Sequence, residues 1–392
     1  MHFKKYTVLI LHLKNMKPVQ MVDLHSQYLK IKEEIDEGIF SVIETSSFVK
    51  GGKVVDFQRN LENYLGVKHV IPVANGTDAL QIALMSLDLK PGDEVITPTF
   101  TFIATVEVVA LLNLTPVFVD VDYDTFCIDL QSVERAITPK TKVIIPVHLF
   151  GQNADMEGIL ALAKKYNLYV VEDACQSMGS EYIFKNGKKQ HSGTIGDIGC
   201  TSFFPSKNLG CYGDGGAVFT NNDELAEKIA MIANHGMKVR YYHDIIGVNS
   251  RLDSIQAAVL DAKLPHLNNY VKARQKAADF YNKAFSNNKN IVLPVTSSYT
   301  THSFHQYTLK LIDVNREKLI SHLNEKGIPA MVYYPVPLHL QKAYKDKRYG
   351  EGDFPVAEKL SASVVSLPMH TELDEEQLNY IVKNFLKEIE NC

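Results

Sequence analysis

No apolar run in the sequence approaches the roughly 18 residues needed to span a bilayer; the longest are short pieces such as 143–146 and 108–112. Positive charge is not in excess either. Lys+Arg number 41 against 45 Asp+Glu, a net charge of −4, so nothing marks a binder of the phosphate backbone and nucleic acid is not an expected partner. Cysteine is scarce: Cys127, Cys175, Cys200, Cys211 and Cys392 are too few and too irregular for a disulfide framework. None forms the paired C-x-x-C unit of a zinc site, so no metal is expected, and all five read as free thiols of a reducing cytosol. Also absent are G-x-x-x-x-G-K-[ST], a G-x-G-x-x-G after a strand, H-E-x-x-H and G-x-S-x-G. Their absence removes the usual nucleotide cradles, the zinc peptidase helix and the hydrolase elbow.

What is present is ordinary for a soluble globular protein: 45% hydrophobic and 22% charged residues. At roughly 150 residues per domain, 392 residues suggest two domains or three. In the first fifteen residues, Lys4 and Lys5 precede an apolar stretch over 6–13, as in a signal peptide. That stretch is short, contains His12, and runs into Lys14, Asn15 and Lys17 rather than a small-residue cleavage site. A mis-called start, with Met16 as initiator, accounts for 1–15 better than secretion does and leaves a cytoplasmic protein with no membrane anchor.

Short β-rich runs then alternate with helical patterns. Strands are predicted over 69–73, 94–96, 116–120, 142–147, 168–172, 199–204 and 216–220, and helices over 78–87, 104–112 and 156–166. Most of these strands are continuous apolar runs, as expected where helices cover both faces of a sheet. The alternation predicts an α/β domain, 16–266, with a mostly parallel seven-stranded sheet and its site at the carboxyl ends of the strands. Helical patterns over 254–267 and 271–285 follow. Strand, helix, strand, helix over 305–311, 316–326, 330–333 and 375–389 predicts a smaller C-terminal α+β domain, 267–392.

Three features carry chemistry. Asn75-Gly76-Thr77 ends a strand and opens a helix, and Gly76 lets backbone amides approach a ligand: a ready anion site, or an ordinary N-cap by Thr77 or Asp78. The same triplet matches an N-glycosylation sequon, accidental without a secretory signal. The strand over 168–172 leads into Asp173, placed to face a cleft and hold a cationic ring nitrogen, or simply to cap a helix. Lys207 follows a buried strand and precedes a glycine-rich turn (Gly210, Gly213, Gly215, Gly216), where burial can lower an amine's pKa enough for nucleophilic attack. Taken singly, Lys207 reads as a solvated lysine. Together, an anion cradle, a strand-end carboxylate and a lysine are what pyridoxal 5'-phosphate needs for its phosphate, ring nitrogen and aldehyde.

From Pro18 to the C-terminus the sequence resembles the sugar aminotransferases of the DegT/DnrJ/EryC1/StrS family. The resemblance rests on A-N-G-T-D-A-L, P-G-D-E-V-I-T-P-T-F-T-F-I-A-T, V-E-D-A-C-Q-S-M-G, T-S-F-F-P-S-K-N-L-G-C-Y-G-D-G-G-A and G-V-N-S-R-L-D-S-I-Q-A-A-V-L. It implies a fold-type I pyridoxal-phosphate enzyme acting on nucleotide-linked keto-sugars, working as a homodimer with shared active sites. On this resemblance Lys207 forms the covalent link to the cofactor and later shuttles a proton, while Asp173 pairs with the pyridinium nitrogen. Gln176 contacts the 3-oxygen, and Phe102 stacks on the ring or, on the plainer reading, packs in the core. Gly76, Thr77 and Ser202 bind the phosphate, and Asn249 reaches the phosphate of the neighbouring subunit. Tyr334 and His339 are expected to contact the sugar substrate; Arg251, with Arg240 second, is the best placed cation for a uronate carboxylate, or else binds the nucleotide's phosphates or forms a structural ion pair.

The stretches around Cys200–Lys207, Cys211-Tyr212-Gly213, His235-Gly236, Arg240–His243, Gln306-Tyr307-Thr308, Tyr334–His339 and Leu367–His370 look like enzymes that aminate UDP-2-acetamido-2-deoxy-3-oxo-glucuronate, with L-glutamate as donor. His148 departs from that branch, which carries serine there. The other readings are the same reaction on a dTDP-3-oxo-6-deoxyhexose, a dehydratase (against which Lys207 counts), and a non-catalytic regulator that only binds the cofactor.

Overall fold

A computed structural model describes residues 16–392. The expected start at Met16 and the character of 1–15 lie outside the described residues. The first nine strands are β1 (His69–Val73), β2 (Glu94–Pro98), β3 (Thr115–Val119), β4 (Thr141–Ile144), β5 (Tyr169–Asp173), the hairpin β6 (Glu181–Ile183) and β7 (Lys189–His191), β8 (Ile198–Ser202) and β9 (Gly216–Thr220). Seven of them form one sheet in the order β1-β9-β8-β5-β4-β2-β3, in which β9 alone runs against its neighbours.

The continuous apolar runs are explained by what lies on each face. Side chains of a strand alternate between faces. Val95, Val143, Val171 and Val218 point into one core with Leu80 and Ala83 of the helix Gly76–Met85 and Val109 of the helix Ala104–Leu111. Their sequence neighbours Ile96, Ile144 and Val170 point into another, against Met156 and Ile159 of the helix Met156–Tyr166. Ala217 and Phe219 meet Phe57 and Leu61 of the helix Gly52–Leu65 and Leu260 of the helix Ser254–Lys263. With both faces covered, most positions in these strands are apolar and alternation disappears; Thr97 and Glu172 are among the buried polar exceptions.

A hairpin of β10 (Met237–Val239) and β11 (Tyr242–His243) stands off the main sheet with Val239, Tyr241, Tyr242 and the following Ile246 exposed. The C-terminal part builds a second, antiparallel sheet from β12 (Ile291–Val292), β13 (Tyr307–Leu311) and β14 (Val364–Leu367). The expected strand over 330–333 is corrected here: it gives only an isolated bridge, Met331 to Ser366, and the neighbour of β13 is β14, which has the β-branched pair Val364-Val365 fully buried. The helix Leu267–Phe285 serves both cores. Leu267 and Val271 pack with the large sheet, and Ala278, Tyr281 and Phe285 pack with the small one. Met16 and Val19 also join the C-terminal core. Among the described residues no helix is long and apolar enough to cross a membrane.

Candidate active site

The parallel strands deliver their carboxyl ends to one edge of the sheet. After β1, Asn75 takes an extended conformation, and its side chain accepts a hydrogen bond from Asp78 N–H at 2.8 Å, so Asn75 is the N-cap rather than Thr77 or Asp78. The amides ahead of Asp78, like those opening any helix, have no partner within it, and the helix dipole adds partial positive charge. Gly76 is required by closeness: a Cβ there would sit 2.7 Å from Ser202 Cβ and 3.0 Å from Cys175 Sγ. The missing side chain lets the end of β8 press against the helix start. Gly76 and Ser202 are thereby brought together, with the half-buried Thr77 next in the first turn.

Asp173 closes β5 with 5% exposure. Its Oδ2 accepts from Thr105 Oγ1 at 2.8 Å and its Oδ1 from Cys175 N–H at 3.2 Å, which fixes the carboxylate plane at the strand end. The neighbouring Glu172 faces the other way. Its buried carboxylate accepts from the amides of Gly193, Ile195 and Gly196 (3.0, 2.6 and 2.6 Å) and pairs with His148 Nε2 at 2.8 Å. His148 Nδ1 accepts from Ala154 N–H, so the ring carries its proton on Nε2 and donates it to Glu172. Of the two adjacent carboxylates, only Asp173 belongs to the site.

Lys207 lies five residues beyond β8. Phe203 anchors the segment in the core, and Asn208 ties it down by donating to the carbonyls of Met178 and Ser303 at 3.3 and 3.0 Å. Burial pushes the Lys207 amine below its ordinary pKa, while Cys175 and Asp173 pull it the other way. The result favours the uncharged amine that attacks a carbonyl.

The turn that follows is held by Lys263, itself 1% exposed, whose Nζ donates to Gly210 O at 2.7 Å and lies 4.4 Å from the centroid of the Tyr212 ring. Burial lowers its pKa to about 8. A lysine depressed in the folded state carries a proton in the unfolded chain that the folded chain has given up, so stability rises with pH between about 8 and 10.5. We expect wild type to gain roughly 2 kcal/mol on Lys263→Met between about pH 8 and 9.5, read by denaturant unfolding. A constant gap between the two would place the titration elsewhere.

Gln176 accepts from Phe150 N–H at 2.9 Å and donates through Nε2 to the Tyr334 hydroxyl at 2.9 Å, which leaves that hydroxyl's own proton free for a ligand. Phe102, 54% exposed, has its ring 6.2 Å from that of Tyr334, so it is not core packing. Two of the expected groups are not joined to this cluster within one chain. Asn249 is exposed and bridges to Asn234, and Arg251 lies near Lys50; no hydrogen bond or ion pair among the described residues links either to Lys207 or Asp173.

His339 is held within the fold. It is 3% exposed, its Nδ1 accepts from Thr99 Oγ1 at 2.7 Å, and its Nε2 meets Glu358 at 3.1 Å. Both ring nitrogens are engaged by the protein, and these contacts fasten the loop after residue 336 to the end of β2. Thr105, which orients Asp173, carried no role in the sequence reading although it ends the stretch P-T-F-T-F-I-A-T; nothing local showed that it faces a carboxylate 68 residues away.

Among the described residues no group of His, Cys, Asp and Glu could hold a metal ion. The sequence model of the DegT/DnrJ/EryC1/StrS aminotransferase family matches residues 29–386. The chain belongs to this family. A "Pleiotropic regulatory protein" of Geobacillus stearothermophilus is 47% identical over 93% of the chain and 97% of its own length. The UDP-2-acetamido-2-deoxy-3-oxo-D-glucuronate aminotransferase of Pseudomonas aeruginosa is 45% identical over 93% and 98%. Among solved structures, NtdA from Bacillus subtilis with bound cofactor PMP superposes with a TM-score of 0.87 at 34% identity, covering 96% of this chain and 87% of that one.

The residues of this family member fit pyridoxal phosphate on their own terms. The cradle at Gly76 and Ser202 is one that a Cβ would fill, Asp173 presents a fixed carboxylate, and the Lys207 amine has no hydrogen bond or ion pair among the described residues.

Proposed function

We propose that the protein is a pyridoxal-phosphate aminotransferase that converts a 3-oxo nucleotide sugar, UDP-2-acetamido-2-deoxy-3-oxo-glucuronate, to the 3-amino sugar with L-glutamate as amino donor. The observation that carries the reading is one amine, Lys207, kept toward its uncharged form by burial between an anion cradle and the Asp173 carboxylate. The 45% identity to the Pseudomonas enzyme supports the substrate.

When bound, the cofactor supplies an electron sink for the carbon that gains or loses the amino group. The chain's residues do the rest. Backbone amides at Gly76 and Thr77 and the Ser202 hydroxyl bind the phosphate. Asp173, held by Thr105 and Cys175, keeps a proton on the ring nitrogen. Lys207 Nζ would hold the cofactor through its aldehyde carbon, with loss of water, and, once displaced by the substrate amine, would take and return the proton at the reacting carbon. Gln176 contacts the 3-oxygen, and Phe102 covers the ring and excludes water from it, with Tyr334 donating to the sugar.

On this reading the protein is a cytoplasmic homodimer, and Asn249 and Arg251 act in the partner's site. Supporting this, no hydrogen bond or ion pair among the described residues ties either to Lys207 or Asp173, and the hairpin leaves Val239, Tyr241 and Tyr242 exposed. A second reading, a regulator that binds the cofactor without turnover, has in its favour the name of the Geobacillus relative. Conversion of the bound cofactor by glutamate, followed in its absorbance, separates the two: no conversion sinks the enzyme reading.

Substrate choice is tested at Arg251, which has no ion pair among the described residues. A uronate carboxylate buried without a cation is costly, and arginine's planar fork is its best partner. Arg251→Leu should lower kcat/KM for the 3-oxo-glucuronate sugar by about 100-fold, about 3 kcal/mol, and that for a dTDP-3-oxo-6-deoxyhexose, with a methyl there, by less than about threefold. Equal losses would assign Arg251 to the phosphates. Faster wild-type turnover of the 6-deoxy sugar would overturn the substrate.

A further inference from the structure

An amide side chain presents an oxygen on one side and an NH2 on the other, and the two sides have nearly the same shape. At Gln176 the choice is made by Phe150 N–H, which donates to Oε1 at 2.9 Å, because an N–H faces only an acceptor. Gln176 Nε2 is thereby turned toward the Tyr334 hydroxyl at 2.9 Å, and its second hydrogen is left for a ligand oxygen. What the amide offers depends on where the Phe150 N–H is held.

That N–H sits in a stretch that needs holding. Phe150 has φ 58° and Gly151 φ 109°, and a phenylalanine adopts the left-handed region only where its surroundings impose it. A Cβ on Gly151 would lie 2.7 Å from Ser303 Oγ and 2.8 Å from Phe304 N, so one side of the turn is pressed against the chain ahead of β13. On the other side stands the fully buried His148 ring. Its Nδ1 accepts from Ala154 N–H at 3.1 Å and its Nε2 donates to Glu172 at 2.8 Å, so the ring closes the stretch 148–154 and ties it to β5. The anchor is firm. Glu172 is also fully buried, and its oxygens accept from the amides of Gly193, Ile195 and Gly196 as well. The His148 main chain grips the same strand, its N–H donating to Asp173 O at 3.0 Å.

We propose that His148 is a positioning residue: through the turn it closes, it holds Phe150 N–H on Gln176 Oε1 and so keeps the Gln176 NH2 directed at the cofactor's 3-oxygen. The inference rests on the pyridoxal-phosphate reading and on the place of Gln176 in it. A donor on that oxygen favours its anionic form and lowers the pH at which the bound cofactor's visible absorbance changes.

The holoenzyme is compared with His148→Leu, which removes both ring bonds. His148→Asn keeps an acceptor where Nδ1 stood, and His148→Gln keeps an N–H for Glu172. The readouts are the pH midpoint of the absorbance change, the cofactor's dissociation constant and the unfolding midpoint of the cofactor-free protein. His148→Leu should raise the pH midpoint by about half a unit or more and weaken the cofactor roughly threefold or more. The other two variants should move both by less. The titratable groups around the site, Lys207, Asp173, Cys175, His305, Tyr333 and Tyr334, are the same in all of them, so the shift reports the amide. A lowered unfolding midpoint with the pH midpoint unmoved would leave His148 a structural residue only and overturn the proposal.

Gln176→Ala, alone and combined with each His148 change, supplies the second measurement. It should itself raise the pH midpoint, and His148→Leu should then add less than about 0.2 unit, because the amide it holds is gone. A full additional shift would mean that His148 acts by another route, such as the main chain of Asp173, and overturns the proposal. Should His148→Leu not fold, His148→Asn and His148→Gln decide: no rise in either, or a rise that survives Gln176→Ala, overturns it. An unmoved midpoint in Gln176→Ala alone removes that residue from the 3-oxygen and the proposal with it, while conversion of the bound cofactor by glutamate would leave the aminotransferase reading standing.

Discussion

Lys207→Ala abolishes turnover, with an expected loss of at least about 10⁴-fold, or roughly 5.5 kcal/mol of barrier. The size follows from two jobs meeting in one atom. Nζ is the sole amine among the groups gathered at Gly76, Asp173 and Gln176, so it is both the nucleophile and the acceptor of the proton at the reacting carbon. No second base stands in for it: Glu172 faces the opposite side with its oxygens occupied by three amides and His148. Cofactor binding should survive in part, because the helix-start cradle and Asp173 do not depend on the lysine. The measurements are steady-state turnover and the absorbance of cofactor retained after gel filtration. Wild-type turnover by this variant would sink the assignment. The same protein has a second use. Mixed with Asn249→Asp under verified subunit exchange, it should recover part of the activity, since each hybrid holds one site with both residues intact if Asn249 acts across the dimer. No recovery would put Asn249 in its own subunit's site.

Asp173→Ala is expected to be nearly as damaging, with more than a tenfold loss of kcat, over about 1.4 kcal/mol. The ring nitrogen loses the carboxylate that keeps it protonated, and the electron sink weakens. The substitution also leaves Thr105 Oγ1 and Cys175 N–H without their acceptor, so Asp173→Asn is the necessary companion. Asparagine keeps the shape and one acceptor, for the Cys175 amide, and turns its NH2 toward Thr105, whose hydroxyl can accept instead; the charge is removed. If both variants lose activity alike while their unfolding midpoints differ, charge at the ring nitrogen is the cause. Retention of more than a tenth of the activity by Asp173→Ala would give the carboxylate another task. A further sign is fixed in advance: Asp173 raises the Lys207 pKa, so removing it should let that amine titrate lower still in the cofactor-free protein.

The large sheet was legible because its strands are short apolar runs set between helices, and that pattern records local facts: chain stiffness at β-branched residues and burial on both faces. The same locality made Gly76, Asp173 and Lys207 readable, each standing where a strand ends and each carried by a stretch of neighbouring residues. Locality also set the limits. The segments 330–333 and Val364–Leu367 are both short and apolar, and which one pairs with β13 depends on the helix Pro355–Ser363 delivering the second into register with Tyr307–Lys310. Sequence alone carried no record of that delivery.

Side-chain partners across the fold behaved likewise. His339 stood in a stretch pointing to substrate, but Thr99, 240 positions earlier, and Glu358 engage both its nitrogens. Thr105 gained its task only when β5 was laid beside the helix Ala104–Leu111. The sequence by itself determined the α/β class and set the candidate lysine, carboxylate and helix start at strand ends, because motifs and hydrophobic period act over a few residues. The tertiary structure alone decided which polar groups orient Asp173 and which hold His339, because a hydrogen bond depends on positions in space that no spacing along the chain encodes.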